Sequence, residues 1–399
     1  MMLNQDTIRE ATRLTRAGQV AEAMALLQGM LRGQSASRAA PPVAARTSLA
    51  GPAQFTLDLE ADEVRKIDRA PTQPSEAPRS RRPLFDRAKD GTWLGLRGRT
   101  HHGPPLAKDI APVGAKFIEG TYSNLAGRRT YKLFVPSGYQ GQPVPLVVML
   151  HGCTQSPDDF AAGTRMNFLA EEQICLVVYP AQARDANPSK CWNWFRDADQ
   201  RRGEGEPSLI AGITRQVMQD YSVDPKRVYV AGLSAGGAAA AIMGVTYSDL
   251  YAAVGIHSGL AYGAASDMAS AFTAMKKGAA EGRRGVSVGP TIPSIVFHGD
   301  HDSTVHPENG AQAVEQALGA IRTQKKMLRG QIPGGHSYTR TTYFDGKREL
   351  LEYWNIRGAG HAWSGGSSVG SYTDPKGPDA TKEMLRFFLD HPQTDAAHL

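Results

Sequence analysis

Cysteine is scarce in these 399 residues: there are three, Cys153, Cys175 and Cys191, and no two have the spacing of a zinc site. Nothing gathers metal-ligating side chains into a cluster, and no glycine-rich loop is placed to cradle a phosphate, so no cofactor is expected. No apolar run reaches membrane-spanning length. The opening residues, Met1 to Asp6, lack the basic start, apolar stretch and small-residue cleavage site of a signal peptide, which makes a cytoplasmic location the expectation. Basic charge is missing where nucleic acid would need it. The net charge is +6, but residues 1–115 hold 17 Lys and Arg against 12 Asp and Glu, and the remainder holds 28 against 27. The longer C-terminal part is nearly neutral, which argues against a nucleic-acid partner.

Three regions are present. Residues 1–33 carry helical periodicity through Ile8, Ala11, Leu14, Val20, Met24, Leu27 and Leu31, with Ala17 and Gly18 between two sets, and read as a short helical hairpin. Residues 34–112 are rich in proline and charge and read as a largely disordered basic linker, with a short helix around Ala61 to Ala70. Residues 113–399 alternate strand-like and helix-like stretches. Lys116 to Ser123 and Arg129 to Val135 pattern as a hairpin. Apolar runs follow at Val144 to Leu150, Ile174 to Tyr179, Val228 to Ala231, Ala252 to His257, Ile292 to His298 and Leu350 to Ile356. Helical stretches at Asp158 to Glu172, Leu209 to Tyr221, Gly310 to Leu318 and Ala380 to Leu389 separate or close them. Such alternation predicts an α/β fold: a mostly parallel central sheet with helices on both faces, of α/β-hydrolase type.

The chemistry centres on Gly232-Leu233-Ser234-Ala235-Gly236, which joins the apolar run at Val228 to a small-residue helix. Strand, sharp turn and helix around G-x-S-x-G make a nucleophile elbow, in which the turn presents the serine and glycines keep side chains out of the way. A serine hydroxyl needs a positioned base, and that base needs an orienting acid. The chain order in this architecture is serine, acid, histidine. The acid comes from His298-Gly299-Asp300-His301-Asp302: Asp302 is far enough along to turn back over the sheet edge, while Asp300, the alternative, is closer to the strand end and suited to holding the turn. The base is His361, the histidine that follows the last strand between small residues. An oxyanion needs preorganised N–H donors. The backbone of Ala235 offers one and that of Cys153, in the loop after Val147 to Leu150, the other. Trp192 and Trp194, in Cys191-Trp192-Asn193-Trp194-Phe195, and Trp363 are expected to line an apolar substrate cleft, with core filling as the alternative for the Cys191 to Phe195 aromatics. Cys175 reads as a core residue.

Five motifs, Leu150-His151-Gly152-Cys153-Thr154-Gln155, Cys191-Trp192-Asn193-Trp194, Gly232 to Gly237, His298-Gly299-x-x-Asp302 and Gly360-His361-Ala362-Trp363, together resemble the polyhydroxybutyrate depolymerase family of esterases, which is similar to feruloyl and acetyl-xylan esterases. The resemblance covers about residues 115–392. It implies a Ser-Asp-His triad on Ser234, Asp302 and His361 and cleavage of short-chain polyester or oligoester bonds, with a polyhydroxyalkanoate granule surface as a further partner. By the same resemblance Cys153 and Cys191 match positions open to a disulfide in exported relatives, and an extracellular location becomes the alternative. A reducing cytosol argues against that bond. Two other readings stand beside this one: a feruloyl or acetyl-xylan type carbohydrate esterase, and a granule- or partner-binding protein working through its helical N-terminus.

Overall fold

A computed structural model describes residues 107–280 and 292–394. All lie on the C-terminal side of a division of the chain between Arg99 and Thr100. The expected helical hairpin and nearly all of the expected linker therefore fall outside the described residues.

The chain enters through a hairpin, β1 (Lys116–Asn124) and β2 (Gly127–Val135), whose antiparallel pairing runs from Lys116 opposite Val135 to Asn124 opposite Gly127. β3 (Val144–Leu150) follows, buried at every position, then helices α1 (Pro157–Thr164) and α2 (Met166–Gln173) and strand β4 (Leu176–Pro180). Helix α3 (Gly205–Asp220) leads into β5 (Val223–Leu233), the elbow and α4 (Ala235–Thr246). Next come β6 (Ala253–His257), α5 (Met268–Lys277), β7 (Ser294–Gly299) and α6 (Glu308–Leu318). A meander of β8 (Gln324–Gln331), β9 (Ser337–Asp345) and β10 (Arg348–Ile356) precedes a small ladder, β11 (Trp363–Ser364) with β12 (Thr373–Asp374), and the closing helix α7 (Ala380–Asp390).

Ten strands form one sheet in the order β1-β2-β4-β3-β5-β6-β7-β10-β9-β8. The six central strands, β4 to β10 in that order, pair in parallel, and the two ends are antiparallel. This is the expected α/β-hydrolase layout. Strand alternation divides the core into two layers. Leu146, Val148, Val228 and Val230 pack on one face, and Val147, Met149, Tyr229 and Ala231 on the other. Both faces are dry, so the central strands read as unbroken apolar runs rather than as alternating ones. Each wholly buried Val or Leu contributes about 1.5–3 kcal/mol to holding the layers together.

Several boundaries differ from the sequence reading: β5 begins at Val223 rather than Val228 and α3 at Gly205 rather than Leu209, and two further differences have a clear backbone cause. Ile174 is not in a strand: it caps α2 with φ +50, its backbone N–H reaching the Ala170 and Glu171 carbonyls, and β4 begins at Leu176. The single helix expected over Asp158 to Glu172 is broken at Arg165, which sits at φ +59 as the end of one helix and the start of the next. Cys175 is buried as expected.

Candidate active site

Ser234, Asp302 and His361 each follow the C-terminal end of a parallel strand: β5, β7 and β10. Those ends lie on one side of the sheet, where open α/β sheets place their ligand sites. Ser234 occupies φ +59, ψ −120, a conformation that L residues rarely hold. Its N–H is tied to the His257 carbonyl at 2.9 Å, and its carbonyl begins the next helix by accepting from Ala238 N, also at 2.9 Å. The flanking glycines are obligatory here. A Cβ on Gly236 would fall inside the Leu150 carbonyl, and one on Gly232 would meet the Gly236 backbone. The turn can thus press against β3 only with hydrogen at both positions.

Asp302, not Asp300, is the carboxylate that faces His361. Asp302 Oδ2 accepts from His361 Nδ1 at 2.7 Å, while Oδ1 accepts from the backbone N–H groups of Thr304 (2.9 Å) and Val305 (2.8 Å). A second imidazole, His298, stands with Nε2 3.5 Å from Oδ2 and bonds the Val305 carbonyl at 2.8 Å. Burial works to raise the Asp302 carboxyl, but the hydrogen bonds from His298 and His361 outweigh it and hold the group well below the usual carboxylate range. Asp302 is therefore ionised wherever the protein is folded near neutrality. Asp300 does something else: its Oδ1 accepts from Gly358 N at 2.6 Å, fixing the loop that carries His361. His361 N–H on Nδ1 points at Asp302, which leaves Nε2 as the basic nitrogen. Its side chain is 10% exposed.

The loop after β3 lies against the elbow: a Cβ added to Gly152 would stand 3.7 Å from Ser234 Cβ. In that turn Gly152 N donates to Gln155 Oε1 (2.9 Å), Thr154 N to the Ser189 carbonyl (2.7 Å) and Gln155 N to the Gly152 carbonyl (3.3 Å). Among the described residues, no acceptor takes the Cys153 N–H. Ala235 is the first residue of α4, so its N–H has no partner within the helix either. A disulfide joins Cys153 to Cys191 and pins this loop to the aromatic segment.

The aromatic wall needs correction. Trp192 and Trp363 have 0% exposure and Trp194 6%, and all three belong to the core. Their indoles are turned inward by polar partners. Trp192 Nε1 donates to the His151 carbonyl at 3.1 Å, and Trp363 Nε1 donates to Thr381 Oγ1 at 2.8 Å. Trp194 packs edge-on against Phe195. Polar surroundings in sequence suggested a cleft. In space the indole N–H groups of Trp192 and Trp363 are satisfied by partners from elsewhere in the chain, and the local Asn193 bonds Glu206 instead.

The sequence reading also missed a buried polar network beneath this region. Glu206, at the start of α3, accepts from Asn193 N and Asn193 Nδ2, both at 2.7 Å, and from Gln182 Nε2. Gln182 also donates to the Cys191 carbonyl at 2.9 Å, and its N–H donates to His151 Nε2 at 3.0 Å. Burial and the nearby Asp199 charge push the Glu206 carboxyl up to about 7, against the bonds from Gln182 and Asn193 and the Arg129 guanidinium, which stands 3.6 Å away. A lone Glu after a glycine carries no motif, so no pattern marked it.

Residues 129–323 match a family model described as Esterase PHB depolymerase. The matched span includes Ser234 and Asp302, and His361 lies beyond it. The chain is 37% identical over 237 residues to poly(3-hydroxyalkanoate) depolymerase C of Paucimonas lemoignei, covering 57% of this chain and 56% of that one. It is 28% identical over 282 residues to feruloyl esterase B of Neurospora crassa, covering 67% and 89%. Among solved structures, the acetyl xylan esterase from Aspergillus awamori superposes with a TM-score of 0.54 at 19% identity over 69% of this chain and 98% of that one, a likeness of fold. The match thus spans little more than half the length of the Paucimonas relative.

Proposed function

We propose that this protein is a serine esterase that cleaves short-chain polyester or oligoester bonds of the poly(3-hydroxyalkanoate) type through an acyl-enzyme. The observation that carries the reading is the 2.7 Å bond between Asp302 Oδ2 and His361 Nδ1, made by two loops that meet at the strand ends where the Ser234 elbow also opens. With Nδ1 committed to the carboxylate, Nε2 is the nitrogen that takes the Ser234 proton as Oγ attacks the ester carbonyl. The bond from Oγ to the carbonyl carbon forms, and the carbonyl electron pair moves onto oxygen. The N–H groups of Cys153 and Ala235 receive that charge. His361 returns the proton to the departing alcohol, and water then releases the acid by the same route.

The substrate class is argued from likeness: the Paucimonas relative is a depolymerase of poly(3-hydroxyalkanoate), and the matched family bears the depolymerase name. A feruloyl or acetyl-xylan substrate is the second reading, favoured by the Neurospora relative, whose length the match nearly fills. The Cys153–Cys191 bond favours an extracytoplasmic place of work over the cytoplasm, since structural disulfides persist in oxidising surroundings. Among the described residues no helix is long and apolar enough to cross a membrane.

Ser234→Ala is expected to abolish turnover of p-nitrophenyl esters and labelling by a fluorophosphonate while the thermal melt stays in place. Persistent turnover in that variant ends the proposal. Release of 3-hydroxybutyrate from amorphous polymer, set against release of ferulate from its methyl ester, decides between the two substrate classes.

A further inference from the structure

His257 ends β6, next to the strand that carries the elbow, and takes no part in the triad. It touches both halves of the machinery. Its carbonyl accepts from Ser234 N at 2.9 Å, and its ring Nε2 accepts from Ser364 N at 3.0 Å, three residues beyond His361. The ring is held face-on by Phe297 on one side (5.6 Å, 7° between planes) and Trp363 on the other (5.0 Å, 25°). The residue is buried, and its strand register sets Leu233 and Phe297 on either side of it.

An Nε2 that accepts from a backbone N–H carries a lone pair, so the ring proton sits on Nδ1, which faces Ser258 Oγ at 3.2 Å. Protonating the ring would set two donors against each other at Ser364. Burial, and behind it the neighbouring His298 and His361, push the imidazole down to about 3, which agrees with a permanently neutral ring. The nucleophile is otherwise fixed by β5 and the base by β11 and the Asp302 bond. Among the described residues no other residue bonds both the Ser234 and the His361 segments, His257 doing so with its carbonyl and its ring respectively. We infer that His257 is a positioning residue of the esterase reaction: its main chain holds the nucleophile and its neutral ring holds the loop of the base, which sets the approach of His361 to Ser234. This rests on the reading of the protein as a serine esterase.

The test uses the full chain. His257→Phe keeps the ring stack and removes the acceptor; His257→Gln restores an acceptor oxygen near the position of Nε2. Reactive Ser234 is counted by a fluorophosphonate, and p-nitrophenyl acetate gives kcat and KM per reactive site. Misplacing reacting groups by an ångström costs on the order of 100-fold. H257F should therefore lose about 10- to 100-fold in kcat with KM held within about twofold, and H257Q should recover part of the loss. In wild-type protein, nitrogen-15 NMR should place the His257 proton on Nδ1 between pH 6 and 9, a measurement that needs no variant to fold. Unchanged kcat per site in H257F, or a proton on Nε2 in the wild type, overturns the inference while leaving the esterase reading intact. A wild type that the fluorophosphonate does not label overturns the esterase reading, and the inference with it.

Discussion

Asp302→Asn is a change of one atom whose consequence follows from hydrogen-bond geometry. Oδ1 of Asp302 accepts two backbone N–H groups, from Thr304 and Val305. The asparagine carbonyl oxygen must take that place, which turns the amide NH2 toward His361. His361 Nδ1 then has to accept, its proton moves to Nε2, and the base has nothing left to take a proton with. Flipping the amide would restore the tautomer but would set NH2 against the buried Val305 N–H and the part-buried Thr304 N–H, at about 1–3 kcal/mol each. Taking about 4 kcal/mol for the pair, the competent arrangement falls to about one part in a thousand, at about 1.4 kcal/mol per decade. The expected result is a loss of roughly 1,000-fold in kcat toward p-nitrophenyl acetate, with KM little changed and the thermal melt shifted by a few degrees at most. Asp300→Asn is the control. It disturbs only the Gly358 N–H bond and should cost far less. If D302N stays within tenfold of wild type while D300N collapses, the assignment of the acid is wrong and the argument from the fixed amide fails with it.

Reducing the Cys153–Cys191 bond, or making Cys191→Ser, should lower the melting temperature, because opening a loop closed over 38 residues costs about 3–4 kcal/mol of chain entropy. It should also lower kcat through the freed Cys153 N–H, and a reduced protein that melts and turns over like the oxidised one contradicts both expectations. Glu206 supplies a pH test. Its folded carboxyl is raised to about 7 from about 4.3 in an unfolded chain, so its contribution is complete below pH 4.3 and is lost as pH climbs through 7. The wild type should therefore lose up to about 3 kcal/mol between pH 5 and 8, measured by urea titration, and Glu206→Gln should flatten that slope. An E206Q slope equal to that of wild type would assign the pH dependence elsewhere.

The parts of this fold legible in the sequence are those where one physical signal dominates. Val144–Leu150 and the Val228 to Leu233 stretch could only be central strands, because nothing but a sheet covered on both faces buries so unbroken an apolar run. The placing of Ser234, Asp302 and His361 at neighbouring strand ends was legible because strained backbone needs glycines at Gly232 and Gly236, and because the two later loops follow later strands in a fixed order. β8 was not: Gln-Lys-Lys-Met-Leu-Arg-Gly-Gln is an exposed edge whose pairing comes wholly from β9. Nor was β9, though Asp345-Gly346 with φ +57 is a hairpin turn signal that could have revealed it. The break at Arg165 is silent because neither Gly nor Pro marks it. The tryptophans misled because exposure of a large ring depends on where its N–H finds a partner, and Thr381 and the His151 carbonyl are remote in sequence from the rings they hold.

The groups that would do the chemistry all sit on loops, and loops are the least rigid parts of a domain. What compensates here is one recurring device: a side-chain acceptor, buried in every case but Asp300, that takes a backbone N–H of the loop. Gln155 Oε1 holds Gly152, Asp302 Oδ1 holds Thr304 and Val305, Asp300 Oδ1 holds Gly358, His257 Nε2 holds Ser364, and Glu206 Oε2 holds Asn193. An acceptor of this kind loses its function if it gains a proton. The carboxylate and imidazole anchors must therefore stay deprotonated across the working range, and the depressed values of Asp302 and His257 meet that condition. Glu206, raised to about 7, departs from this: burial favours its protonated carboxyl, whose carbonyl oxygen still accepts, so its site is tightest in mild acid. Its anchor, which steadies Asn193 and through Gln182 the Cys191 and His151 region, is the one that weakens first as pH rises through 7. The expected consequence is that mild alkali loosens the oxyanion side of the site before it disturbs the Asp302–His361 pair. Hydrogen exchange at the Asn193 amide, followed from pH 5.5 up to pH 8, should show it as an opening that rises beyond the intrinsic chemistry while the Thr304 and Val305 amides keep their protection; an Asn193 opening that instead grows toward pH 5.5 would refute it.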